Sequence, residues 1–357
     1  MGSAMTQYSR RDFAALGAGA TIGACFGGSV PAAAVTQAPM DLLANVDPEL
    51  RPAARRMLSG PPGPSLDRNY LNIRKSIRDG ARTARPDIPF TQRDIPVRGG
   101  APNVSAFVIN AKPGTARPAI LHTHGGGYVF GNAASEVASR QDLAENLDCV
   151  VVTVDYRLAP EARYGASIEE NYAALKWLFD NAAMLGVDRS RIAVMGESAG
   201  GGHAALLALT ARDRREVPLA FQLLVYPMLD DRTGSSRMPP PHIGRIGWSA
   251  ADNRFGWRAL LGQAPGTGTV PAAAVPARAR TLAGLPPTFI GVGSIDLFVD
   301  EDIDYARRLI DSGVSTELIV VPGAYHGFDD NAPEAVLTRR FNAAKMAALR
   351  RALAISN

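Results

Sequence analysis

Ile192-Ala193-Val194-Met195 runs straight into Gly196-Glu197-Ser198-Ala199-Gly200 and a stretch rich in Ala and Leu. An unbroken apolar run reads as a strand covered on both faces, and the stretch after the turn reads as a helix. Passing from one to the other so abruptly crowds backbone on backbone, which explains glycine two positions either side of Ser198. The same turn lifts the Ser198 hydroxyl clear of the chain and sets it at the positive end of the helix dipole. A chain built around such a unit needs a mostly parallel sheet with helices on both faces.

The remaining sequence agrees. Short β-branched runs predict strands over 93–97, 104–109, 119–123, 149–155, 191–195, 221–226, 287–292 and 316–321. Amphipathic stretches predict helices over 135–147, 167–185, 199–212, 300–312 and 336–355. The expected fold class is therefore α/β, with a central, mostly parallel eight-stranded sheet flanked by helices. The catalytic domain is assigned to 91–228 and 281–357. The segment 229–280 has another composition, with Pro239-Pro240-Pro241 and the aromatics Trp248, Phe255 and Trp257. An interruption of that length inside a compact domain is usually a lid or binding segment. It is assigned as a helical cap, with 35–90 as the cap's N-terminal part.

Composition excludes other classes. Of 357 residues, 46% are hydrophobic and 20% charged, which rules out a disordered or fibrous chain. The formal net charge is only +4, and the arginines are scattered in short groups such as Arg212, Arg214 and Arg215. A nucleic-acid binder would gather its basic residues on one element with aromatics between them, so no nucleic-acid partner is expected. The two cysteines, Cys25 and Cys149, provide neither a disulfide framework nor a metal site.

Met1-Gly2-Ser3-Ala4 reads as a cloning remnant, with Met5 as the natural start. Arg10 and Arg11 precede a Gly/Ala-rich stretch over 14–28, the layout of a twin-arginine export signal. The segment 1–34 is assigned to it, giving an exported or periplasmic protein; the alternative is an ordinary N-terminal helix on a cytoplasmic one. Cleavage falls at Ala32-Ala33-Ala34, or else Cys25 carries lipid after Ile22-Gly23-Ala24. The stretch is too short to span a membrane, which takes ~20 apolar residues.

An exposed serine needs a base, and the chain has five histidines. His122 lies in a strand, His124 opens a glycine loop, His203 sits in the helix after Ser198, and His242 follows the prolines. Only His326, in Gly323-Ala324-Tyr325-His326-Gly327-Phe328, follows a strand on a loop that could reach Ser198. The orienting acid should come between serine and histidine in chain order, and Asp296 follows the strand at 287–292. Asp300 and Asp302 read as the charged first turn of the next helix, where the dipole favours carboxylates. His124-Gly125-Gly126-Gly127 follows the strand at 119–123, and its glycines allow N–H groups to approach a carbonyl oxygen closely.

Together these motifs resemble the bacterial hormone-sensitive-lipase-like esterases, also called family IV, which have the α/β-hydrolase fold. The likeness runs from about residue 90 onward. It covers His124 to Gly127, Asp155-Tyr156-Arg157-Leu158-Ala159-Pro160-Glu161, Gly196 to Gly201, the Asp296 loop, and Tyr325-His326-Gly327-Phe328. Glu197 stands where many members have Asp, and Leu297 where many have Pro. The resemblance implies a cofactor-free, metal-free carboxylesterase for short to medium acyl esters, with Ser198, Asp296 and His326 catalytic. It places the oxyanion hole at Gly126, Gly127 and the Ala199 N–H, beside Gly125. Tyr128 and Glu197 are expected at the substrate, while Trp248, Phe255 and Trp257 either line the pocket or form the cap's own core. The expected partner is a small-molecule ester, and homodimer formation is left open. Amide or lactone cleavage on the same machinery is the nearest rival, and a non-catalytic receptor of hydrolase fold is a more distant one.

Overall fold

The computed structural model describes residues 41–59 and 64–355. The expected export segment at 1–34, both its processing sites and Cys25 lie outside the described residues. One sheet contains β1 (Phe90–Ile95), β2 (Val104–Ile109), β3 (Arg117–Thr123), β4 (Val150–Asp155), β5 (Val187–Glu197), β6 (Phe221–Val225), β7 (Thr288–Gly293) and β8 (Thr316–Val321). Their spatial order is β1-β2-β4-β3-β5-β6-β7-β8. β2 runs antiparallel to both neighbours, and every pair from β4 to β8 is parallel. This is the mostly parallel eight-stranded sheet that the sequence predicts.

The helices are α1 (Arg51–Leu58), α2 (Leu66–Asp79), α3 (Ala133–Leu147), α4 (Tyr164–Asp180), α5 (Ala182–Leu185), α6 (Ala199–Arg214), α7 (Ala250–Leu261), α8 (Val299–Asp311), α9 (Phe328–Asn331) and α10 (Val336–Ala352). Leu175 of α4, Leu207 of α6 and Leu309 of α8 share one core with Leu121 and Val194. On the opposite face Val137 of α3 and Phe341 of α10 pack with Ile120, Ala193 and Leu223. The central strands are thus apolar on both faces, as their unbroken runs require.

Two expected helices are modified. The stretch expected over 167–185 begins earlier, at Tyr164, and breaks at Asn181, whose side-chain amide donates to Trp177 O at 2.8 Å. Gly186 then ends α5 in the left-handed conformation, with φ 72°. The last helix stops at Ala352.

In the segment between β6 and β7, α7 starts with a reciprocal cap, Ser249 and Asp252 each bonding the other's backbone N–H. It packs on α2, which comes from the other stretch assigned to the cap. Leu66, Trp248, Trp257 and Phe298 share a third apolar cluster there.

Candidate active site

Ser198 stands between β5 and α6 with φ 56° and ψ −123°, a backbone conformation rare for a side-chain-bearing residue. The turn is held by Ser198 N–H donating to Val225 O at 2.9 Å, while Ser198 O accepts from Gly202 and Met228. A Cβ on Gly196 would stand 2.2 Å from Gly200 O, and one on Gly200 only 2.0 Å from Thr123 O. Neither position has room for a side chain. The sequence rule behind the motif is thus a contact, with the helix start pressed against β3 and β5.

Ser198 Oγ lies 2.9 Å from His326 Nε2. His326 Nδ1 lies 2.8 Å from Asp296 Oδ2, and Asp296 Oδ1 accepts the Phe298 N–H at 2.9 Å. Asp296 is completely buried, so its remaining lone pairs face protein. The imidazole is wedged edge-on between Tyr226 at 4.7 Å and Phe298 at 5.1 Å, which fixes its plane.

The other histidines are placed elsewhere. His124 stacks on Tyr156 at 4.3 Å, and burial pushes the His203 imidazole down to about 3, leaving it neutral. His242 is exposed. Asp300 is exposed too, as its position in a first turn predicts. Asp302 departs from the expectation: α8 turns it inward, fully buried, with neither carboxylate oxygen bonded. Burial, then Glu301 and Asp296, push the Asp302 carboxyl well above the usual range.

Beside Ser198, Gly126 and Gly127 adopt positive φ of 117° and 57°. The Gly126 carbonyl turns inward to accept from Val129 and Phe130, both at 3.0 Å. Among the described residues neither Gly126 N–H nor Gly127 N–H donates to the protein. Ala199 is the first residue of α6, where an N–H has no acceptor within the helix. Gly126 and Gly127 line the same cavity as Ser198.

Glu197 is anchored from two sides. Oε1 accepts from Arg140 Nη1 at 2.9 Å and Oε2 meets His122 Nε2 at 2.8 Å, with His122 Nδ1 on Thr153 Oγ1. Burial opposes its charge, yet Arg140 and His122 outweigh it and hold the carboxyl well below the usual range. A depressed pKa contributes stability above the unfolded value of about 4.5 and loses it as pH falls below that. Glu197→Gln should therefore cost about 2 kcal/mol near pH 7, because it removes the carboxylate shared by Arg140 and His122 and leaves Arg140 only the longer contact with Glu136. Urea melts at pH 7 and pH 4 check this: the gap between wild type and variant should narrow at the lower pH.

A cavity of about 790 Å³ opens at Ser198. It runs between α3 and α10 over Met195 and Leu223, because α3 rests on β2 and β4 while α10 rests on β6 and β7. Glu197 and Trp248 line it as expected, Trp248 packing over Gly127. Tyr128, Phe255 and Trp257 do not line it; this corrects the expectation for Tyr128 and decides the open alternative for Phe255 and Trp257 against lining. Tyr128 is turned inward by its φ of 68°, and its hydroxyl donates to Met228 O at 2.9 Å. Trp257 is fully buried 5.0 Å from the Tyr128 ring, and Phe255 packs on Tyr70 at 5.7 Å. Trp257 thus belongs to the third apolar cluster, and Phe255 packs against it.

A family model for the alpha/beta hydrolase fold matches residues 120–330. Esterase LipI of Mycobacterium tuberculosis is 33% identical over 81% of this chain and 91% of its own length. The chain belongs to the α/β-hydrolase family, in its hormone-sensitive-lipase-like esterase branch. Carboxylesterase NlhH of the same species is 37% identical over 66% of this hydrolase and 74% of its own length. The solved structure of a bacterial heroin esterase superposes with TM-score 0.79 at 33% identity, covering 87% of this hydrolase and 99% of that chain. The chain is a carboxylic ester hydrolase.

The sequence reading missed the groups that hold and surround the site: His122 and Arg140 on Glu197, and Lys345 and Asp330 along the cavity of this hydrolase. Only His122 left a signal, as a polar residue at an inward position of an apolar strand. Among the described residues, no helix is long and apolar enough to cross a membrane.

Proposed function

We propose that the hydrolase cleaves short to medium acyl esters through an acyl-enzyme on Ser198. The observation that carries this is the unbroken chain Ser198 Oγ, His326, Asp296, with successive distances of 2.9 and 2.8 Å, at the floor of an open cavity. His326 takes the hydroxyl proton as Ser198 attacks the ester carbonyl, then returns it to the departing alcohol. Asp296 keeps the Nδ1 proton in place and offsets the charge on the imidazolium. The developing oxyanion points at the N–H groups of Gly126, Gly127 and Ala199, each such donor being worth ~3 kcal/mol in the transition state. Water activated by the same histidine then releases the acid. An ethyl acetate hydrolase of Pseudomonas putida, 32% identical over 68% of this chain, supports a short-acyl preference.

Two measurements test the reading. An organophosphonate should label Ser198 stoichiometrically, since only an activated serine reacts; absence of a label would leave a receptor. Each buried methylene gains ~0.8 kcal/mol until the chain meets a wall. kcat/KM for p-nitrophenyl esters should therefore rise over the first few carbons, favour acyl chains of roughly two to eight carbons, and collapse by palmitate. A maximum at palmitate would mean a lipase with a cap that opens widely. Export by the twin-arginine route belongs to the same proposal and rests on Arg10 and Arg11 ahead of the small-residue stretch.

A further inference from the structure

The cavity beside Ser198 is not a hydrocarbon slot. Its floor is apolar, from Met195 and Leu223 on the sheet, Leu143 on α3 and Met346 on α10. Its walls carry charge, and the charges do not balance. Arg140 is shared by two lining carboxylates, Glu197 at 2.9 Å and Glu136 at 3.3 Å. Lys345 is taken by Asp329 at 3.0 Å, which also accepts from the Tyr226 hydroxyl. Arg82, at the rim, is held by Asp142 at 3.1 Å. Every lining Lys and Arg is thus committed, while Asp330 has no hydrogen-bond or ion-pair partner among the described residues.

Asp330 sits in α9, four residues past His326, is exposed and lines the cavity. A neutral alkyl chain laid along this channel gains from the apolar floor but offers nothing to the unpaired carboxylate of Asp330. A positive group on the end of an apolar stem would satisfy both floor and wall. We infer that the channel between α3 and α10 binds an ester arm with an aliphatic stem and a protonated amine, and that Asp330 receives the ammonium. Lys345 does not repel it, because Asp329 neutralises that side chain at contact distance. The surrounding protein, then Asp329 and Glu197, push the Asp330 carboxyl up to about 6, so it stays ionised at pH 8. The inference rests on the ester-hydrolase reading of Ser198 and adds to it the class of substrate.

Matched pairs of substrates test it, one for each arm of the ester. For the acyl arm, p-nitrophenyl 6-aminohexanoate is compared with the isosteric heptanoate. For the alcohol arm, 2-(dimethylamino)ethyl butyrate is compared with 3-methylbutyl butyrate. At pH 8 the cationic member of one pair should be favoured roughly tenfold in kcat/KM, as expected for a hydrogen bond between charged groups. Which pair responds identifies the arm. Asp330→Asn should bring that ratio to about one, and Asp330→Glu should keep most of it. If the neutral esters are turned over but neither cationic ester is preferred, the inference fails and the esterase reading stands. A preference that survives Asp330→Asn assigns the wrong residue. If no ester is turned over and Ser198 takes no label, the esterase reading itself fails.

Discussion

Ser198→Ala should lower kcat for p-nitrophenyl butyrate by about 10⁶-fold, the loss seen when a triad serine is removed alone. The fold should survive. Alanine keeps the Cβ, and the turn is fixed by Ser198 backbone bonds to Val225, Gly202 and Met228, none of which uses the hydroxyl. The organophosphonate adduct should vanish with the rate, and thermal unfolding should stay close to wild type. His326→Ala should cost nearly as much, and the double variant little more, because the pair acts as one unit. Partial activity above a few per cent in purified Ser198→Ala would mean that another nucleophile does the chemistry.

The serine was legible because the motif is a steric requirement written in consecutive residues. Gly196 and Gly200 are glycine for contacts within and beside the turn, so the letters and the geometry are nearly the same statement. The sheet was legible for a related reason, since strands buried on both faces leave unbroken apolar runs. The cavity was not. Its lining comes from Met195, Leu223, Arg140 and Lys345, which lie far apart in the chain. On α3 and α10 the polar residues look like ordinary solvated faces, and only the spacing of the two helices turns those faces toward each other. Burial of aromatics was equally hidden. Trp248 and Trp257 are similar in type and close in sequence, but one caps Gly127 and the other is sealed against Tyr128. A short cap segment bends too irregularly for any periodicity to separate them.

The choice of acid is where sequence and structure together make the sharpest distinction. Asp296, Asp300 and Asp302 fall within one short stretch, and substituting each by Asn gives three different expectations. Asp296→Asn keeps the volume but places an amide against His326 Nδ1, now at 2.8 Å from Asp296 Oδ2. The amide donates where the carboxylate accepted, so the ring adopts the wrong tautomer and kcat should fall by about 10⁴-fold. Asp300 is exposed, and its loss removes only a favourable charge at the start of α8, a matter of about 0.5 kcal/mol in stability. Asp302 is the informative control. It is as buried as Asp296 and feels its charge, which helps push its carboxyl above the usual range, but neither of its oxygens bonds His326. Asn is close to isosteric with Asp and no bond to His326 is lost, so Asp302→Asn should change kcat less than about threefold, well under 1 kcal/mol. Stopped-flow or steady-state rates on the three variants decide the matter. Should Asp302→Asn show the large loss while Asp296→Asn does not, Asp302 would be ionised in the working enzyme and the assignment of the acid would pass to it.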